Sequence, residues 1–119
     1  MSKLARERGR LFEIEIGKIL SQHSGREIKR KLGQARDSGN DIDFGPYVIE
    51  CKRTRALGYV SKWLKQAVDA VALRPGEHTL IPVVVAREDL GQPIAILSLQ
   101  DFLWLTDRAS LVGEAKQPA

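Results

Sequence analysis

"NDIDFGPYVIECKRT", residues 40–54, sets Asp41, Asp43, Glu50 and Lys52 among Ile42, Phe44, Tyr47, Val48, Ile49 and Cys51. Two apolar, β-prone runs flank Gly45-Pro46, which predicts a β-hairpin with its turn at those residues. Side chains alternate between the two faces of a strand. Asp41 and Asp43 therefore share one face of the first strand, and Ile42 and Phe44 the other. On the second strand Val48, Glu50 and Lys52 lie opposite Tyr47, Ile49 and Cys51. A turn centred between Gly45 and Pro46 pairs Ile42 with Ile49 and sets Asp41 against Glu50, with Cβ atoms about 4.5–5.5 Å apart. Carboxylates held that close raise one another's pKa unless a cation lies between them. A hard divalent ion with oxygen ligands meets that need.

Asp41 and Glu50 are thus candidate metal ligands, with the backbone carbonyl of Cys51 as a third; the cysteine side chain itself is expected to fill the core. Lys52, two residues beyond Glu50, stands on the same face. A cation there can hold an attacking water or stabilise a pentavalent phosphate, while the metal activates the water. The plainer alternative makes Glu50 and Lys52 a solvated ion pair and Asp41 and Asp43 turn-adjacent surface charges. Four features favour the site. The acid recurs across the hairpin in register, the other face is apolar, basic residues flank both ends, and the small residues of "SGN" precede Asp41.

The 119 residues suit one domain, 1–119, with "GEAKQPA" (about 112–119) as a loose tail. With 43% hydrophobic and 29% charged residues the composition is globular. No apolar run approaches the ~20 residues of a membrane span, and the basic N-terminus lacks the apolar stretch of a secretory signal. Cys51 is the only cysteine, which excludes an internal disulfide and a cysteine zinc cage and suggests a reducing, cytoplasmic setting. Net charge is +4, but residues 1–66 hold 15 Lys and Arg against 8 Asp and Glu, while residues 67–119 hold 4 against 7. A basic half points to an anionic partner, nucleic acid foremost, or to an ordinary solvated surface. The bases form three patches: Lys3, Arg6, Arg8 and Arg10; Lys29, Arg30, Lys31 and Arg36; and Arg53, Arg55, Lys62 and Lys65. With no base-reading motif, their contacts should be to phosphates.

Periodicity predicts a helix over 3–23, carrying Leu4, Leu11, Phe12, Ile16, Ile19 and Leu20 and stopped at Ser24-Gly25. "REIKRKL" reads as a short edge strand guarded by its charges. A second helix, about 60–73, has a stripe of Val60, Leu64, Ala67, Val68 and Val71. "TLIPVVVA" is a buried central strand, "QPIAILSL" another strand, and "LQDFLWLTDRA" a closing helix. The order predicts an α/β fold with a mixed central sheet flanked by helices.

An Asp before a strand turn, then an apolar strand ending in Glu-x-Lys, resembles the PD-(D/E)XK nuclease superfamily, and most closely archaeal-type and phage Holliday junction resolvases. The likeness runs from "ERGRLFEIEIGKIL" to "IPVVVA". It implies a restriction-endonuclease-like core, and magnesium-dependent phosphodiester cleavage (with Mn2+ able to substitute) of four-way or other branched DNA. The enzyme would be a homodimer in the cytoplasm of a prokaryotic cell or phage-infected host. The family's helix glutamate, four residues after a glycine, maps to Glu13 after Gly9. Asp41, Glu50 and Lys52 take the remaining catalytic positions, with Glu13 a further possible metal ligand. Glu15 competes with Glu13, since a helical wheel puts Glu15 inside the apolar stripe and Glu13 at its edge. Ser38 is a candidate for the family's loop serine, with Arg36 or Gln34 as alternatives reaching the phosphate, and Gln66 is a weaker candidate from the second helix. His23 and His78 have no partner at metal-ligand spacing. Trp63 and Trp104 read as core or interface residues that could otherwise stack on bases. Other readings stay open: a nuclease for flaps, nicks or duplex ends, or a non-catalytic DNA-binding module. An isologous contact is expected from "IAILSLQDFLWL", rich in apolar side chains such as Phe102 and Trp104.

Overall fold

A computed structural model of the chain describes residues 2–32, 41–74 and 79–111. Its elements are α1 (Lys3–Ser24), β1 (Ile42–Phe44), β2 (Tyr47–Thr54), α2 (Val60–Ala72), β3 (Ile81–Glu88), β4 (Ile94–Ile96) and α3 (Leu99–Leu111). The strands form one sheet in the order β1-β2-β3-β4. The outer pairs are antiparallel and the central pair, β2 and β3, is parallel. A parallel pair cannot be joined by a tight turn, and α2 supplies the crossover. This is the expected α/β architecture, a four-stranded mixed sheet with three helices. No helix among the described residues is long and apolar enough to cross a membrane.

The hairpin forms as its sequence requires. Phe44 pairs with Tyr47 and Ile42 with Ile49, closing a two-residue loop of Gly45-Pro46. Gly45 has φ 58°, the positive value that the first loop position of a II′ turn demands. Ser2 Oγ starts α1 by accepting the Ala5 N–H at 3.0 Å, and Gly25, at φ 72°, ends it by donating to Ser21 O. Phe12 and Ile16 of α1 pack on Ile42 and Ile49, with Leu20, Cys51, Val83 and Val85 around them. Each such buried side chain contributes roughly 1.5–3 kcal/mol.

On the opposite face α2 sets Ala67 against Val84 and Ala86, flanked by Trp63, Leu64 and Ile96. Of the expected stripe, Val60, Leu64, Ala67 and Val71 are buried or half-buried, and Val68 is the departure. Ala67 and Ala70 face inward, while Val68 is 43% exposed. Small residues at the contact let the helix lie close to the sheet, so alanines rather than the bulkier valine take the inner positions.

The predicted edge strand at 26–32 is reduced to a single bridge, Arg30 to Ile42. Ser21 of α1 captures this segment instead: its Oγ accepts the Ile28 N–H at 2.8 Å and shares its own proton between Gly17 O and Ile28 O. A backbone already satisfied by a side chain does not build a ladder. Ser98 Oγ caps α3 at the Asp101 N–H. That helix carries Leu99, Phe102, Leu103 and Trp104 at 70, 51, 51 and 39% exposure. Arg108 lies over the Trp104 ring, 4.2 Å from its centroid.

Candidate active site

The ladder between β1 and β2 ends at Ile42–Ile49, and Asp41 breaks the expected register. Its N–H donates to Ile49 O at 2.9 Å rather than pairing with Glu50, and its carbonyl accepts the Lys31 N–H. Strand β2 and the segment after α1 both bind the backbone of this residue. The next donor on β2, the Cys51 N–H, is taken by the Asp41 carboxylate, with Oδ2 at 2.7 Å. A buried amide must find an acceptor, and Asp41, only 3% exposed, supplies one from its side chain. Its carboxylate is thereby fixed against β2 one residue from Glu50. A strand residue directs N–H and C=O toward the same neighbour, so the Cys51 carbonyl also turns to the Asp41 side.

Glu50 and Lys52 share the sheet face of their β3 partners Val84 and Ala86, as alternation predicts. Glu50 Oε2 is fully buried, and Lys52 Nζ stands 3.9 Å from Oε1. Cys51 points its side chain to the α1 side, into the core. Asp43 is exposed and paired with Lys31 at 3.5 Å and Arg74 at 3.2 Å.

The two helix glutamates exchange the environments the helical wheel gave them. Glu13 is 6% exposed and accepts from Arg30 at 3.2 Å. Glu15 is half-exposed and takes Arg87 on both carboxylate oxygens. Among the described residues no three His, Cys, Asp or Glu side chains group closely enough to hold a metal, so Glu13 does not complete such a cluster with Asp41 and Glu50. The carboxylates of Asp41 and Glu50 and the Cys51 carbonyl are hard oxygens, and Mg2+ is commonly held by one or two carboxylates with water filling the rest. They fit that ion.

Of the basic candidates, Arg6, Arg8, Arg10, Lys29, Arg55, Lys62 and Lys65 are exposed. Lys29 pairs with Glu27, and Lys65 with Asp69. Gln66 is exposed on α2, and His23 lies in the last turn of α1. Trp63 packs in the α2 layer and Trp104 is partly exposed on α3. Gln34, Arg36, Ser38, His78 and the tail lie outside the described residues. Arg74, Arg87 and Asp89, which sequence reasoning passed over, bind Asp43, Glu15 and Arg53 across 31 to 72 residues of chain. No local spacing signals such pairs.

Two cavities are well formed. The larger, about 510 Å3, lies between α1 and the 27–32 segment, lined by Ile14, Gly17, Ser21, Ile28 and Leu32, and contains neither Asp41 nor Glu50. The smaller, about 300 Å3, brings Arg8 of α1 to Arg53 and Arg55 at the end of β2. Beside it Arg53 holds Asp89 at 2.7 Å. This hydrogen bond, the largest effect, outweighs the opposing effect of desolvation and, with weaker contributions from the charges of Arg53, Arg8 and Arg55, holds the Asp89 carboxyl below its ordinary range.

The fold is α/β, with Glu50 and Lys52 on the central strand β2 and the Asp41 carboxylate, just before β1, held on the Cys51 N–H between them. Comparison with family models, curated proteins and solved structures finds no match to the chain.

Proposed function

We propose that the protein is a magnesium-dependent DNA endonuclease of the PD-(D/E)XK type, acting on four-way or other branched DNA. The observation that carries this reading is the fixing of the buried Asp41 carboxylate on the Cys51 N–H, beside Glu50 and Lys52. The element order supports a restriction-endonuclease-like core, in which hairpin, crossover helix and parallel strand follow the first helix. Asp41, Glu50 and the Cys51 carbonyl would hold the metal, whose chemistry when bound would be to activate water and offset charge on the phosphate. Asp41 is pre-oriented by the backbone. Lys52 places a cation beside Glu50, where it orients water or stabilises the charge that develops on phosphate. Glu13 acts as an accessory acid, its position set by Arg30.

A symmetric homodimer belongs to this reading. Resolving a junction takes two opposed cuts, and one chain offers one such site. The exposed apolar face of α3 is the proposed contact.

Replacing Asp41 with Asn should abolish cleavage in magnesium and leave DNA binding largely intact. Cleavage by that variant at the parental rate refutes the mechanism. A four-way junction, a flap and a linear duplex assayed side by side discriminate a resolvase from a nuclease for flaps, nicks or ends. A non-catalytic DNA-binding module is the second reading, favoured by the ion pairs that engage Glu13 and Glu50. It predicts no product on any substrate that depends on metal and is lost in EDTA.

A further inference from the structure

Three arginines line one small cavity. Arg8 comes from α1, and Arg53 and Arg55 from the end of β2, positions 45 and 47 residues further along the chain. Sequence patches that read as separate are one surface here. Among the described residues one ion pair answers them. Asp89, in the turn after β3, binds Arg53 at 2.7 Å and sits in the fields of Arg8 and Arg55. Its backbone N–H donates to Arg55 O, which ties the turn to the end of β2. Three cations around one exposed carboxylate leave an excess of positive charge, and the carboxylate marks where an anion fits among them. The start of α1 adds positive potential of the same sign. The cavity also lies at the carboxyl ends of β2 and β3, where open α/β sheets receive ligands.

We propose that this pocket seats a backbone phosphate of bound DNA, and that Asp89 is its internal competitor. Entry of the phosphate oxygens between Arg8 and Arg55 displaces the Asp89 carboxylate from Arg53, which then forks onto the phosphate. An occupant already carried by the protein raises the threshold for weak, non-specific anions. A polyanion that contacts several basic groups at once overcomes it. The inference rests on the DNA reading above but requires no cleavage.

The test measures affinity for a labelled four-way junction and a linear duplex in EDTA, across about 50 to 200 mM salt. Arg8→Gln should weaken binding several-fold and lower the salt slope by about 0.9, the loss of one phosphate contact. Asp89→Asn should strengthen binding several-fold. The matched control is Asp69→Asn, which also removes one negative charge and releases a cation, Lys65, outside the pocket. In an Arg8→Gln/Arg55→Gln background the gain from Asp89→Asn should fall to that of the control. Equal gains from Asp89→Asn and Asp69→Asn in the parental protein, or a gain that survives the double arginine change, overturns the pocket. So does failure to bind either DNA at low salt. Circular dichroism melts verify that each variant is folded. Cleavage in magnesium, assayed separately, keeps the two proposals apart. A non-cutting protein with the Asp89 effect retains the pocket and loses the nuclease; a protein that cuts through Asp41 without it does the reverse.

Discussion

Asp41 has two tasks that substitution can separate. Its carboxylate completes the hydrogen bonding of Cys51 whether or not a metal is ever bound. Asp41→Asn retains a carbonyl acceptor for that amide, whereas Asp41→Ala leaves a buried N–H without one, at a cost of about 1–3 kcal/mol. Urea unfolding should show the alanine variant clearly weakened and the asparagine variant close to the parent, while both fail to cut DNA. Equal stability of the two would mean that the bond to Cys51 contributes nothing. Asp89 makes a second residue-scale case. Its pKa is depressed in the folded protein, first by the Arg53 hydrogen bond, so its contribution is complete above the ordinary carboxylate value. That contribution is lost as pH falls through the ordinary value toward the folded one, and neutral pH is untouched. In Arg53→Gln the Asp89 carboxyl should titrate closer to its ordinary value by NMR. An unchanged titration would assign the depression elsewhere. Alternation along β2 made the shared face of Glu50 and Lys52 legible in the sequence. The partners of Glu13, Glu15 and Asp89 were not, because each lies on another element.

At the scale of elements, α1 and the segment after it act as a unit. Gly17 lets that segment approach so closely that a Cβ there would lie 3.3 Å from Ile28 O, while a Cβ on Gly9 would meet nothing within 4 Å. Glycine in a helix interior costs roughly 0.5–1 kcal/mol relative to alanine. Gly9→Ala should therefore raise the melting temperature. Gly17→Ala should lower it, because the obstructing carbonyl belongs to a residue whose N–H is also held by Ser21. Thermal melts compare the two, and an equal rise in both would show that the segment gives way freely. The same seat explains the lost edge strand. Charge pattern and β propensity in "REIKRKL" suggested a ladder, but a helix serine reached its backbone first. The exposure of Val68 on α2, with Ala70 buried, has a similar cause: hydropathy ranks valine above alanine, while close helix–sheet contact favours the smaller side chain.

For the whole molecule, the apolar surface of α3 is a face that the described fold leaves uncovered. Leu99, Phe102 and Leu103 are each at least half exposed on one helix. A chain of 13.3 kDa should sediment at twice that mass at micromolar concentration, and Phe102→Glu with Leu103→Glu should return it to the single-chain mass without loss of helix content. A parental monomer that still makes paired cuts would sink the dimer.

The sequence by itself determined the hairpin and its turn, the α/β class with a mixed sheet, and the alignment of Glu50 with Lys52. Each follows from periodicity or turn chemistry acting over a few residues. Only the tertiary structure decided that Asp41 would slip from its register to serve Cys51, and that Glu13 rather than Glu15 would be buried. It also decided that Arg8 would meet Arg53 and Arg55 in one pocket. Those outcomes depend on which backbone groups the closing of the sheet and the docking of α1 leave unsatisfied, and on charges brought together from distant parts of the chain.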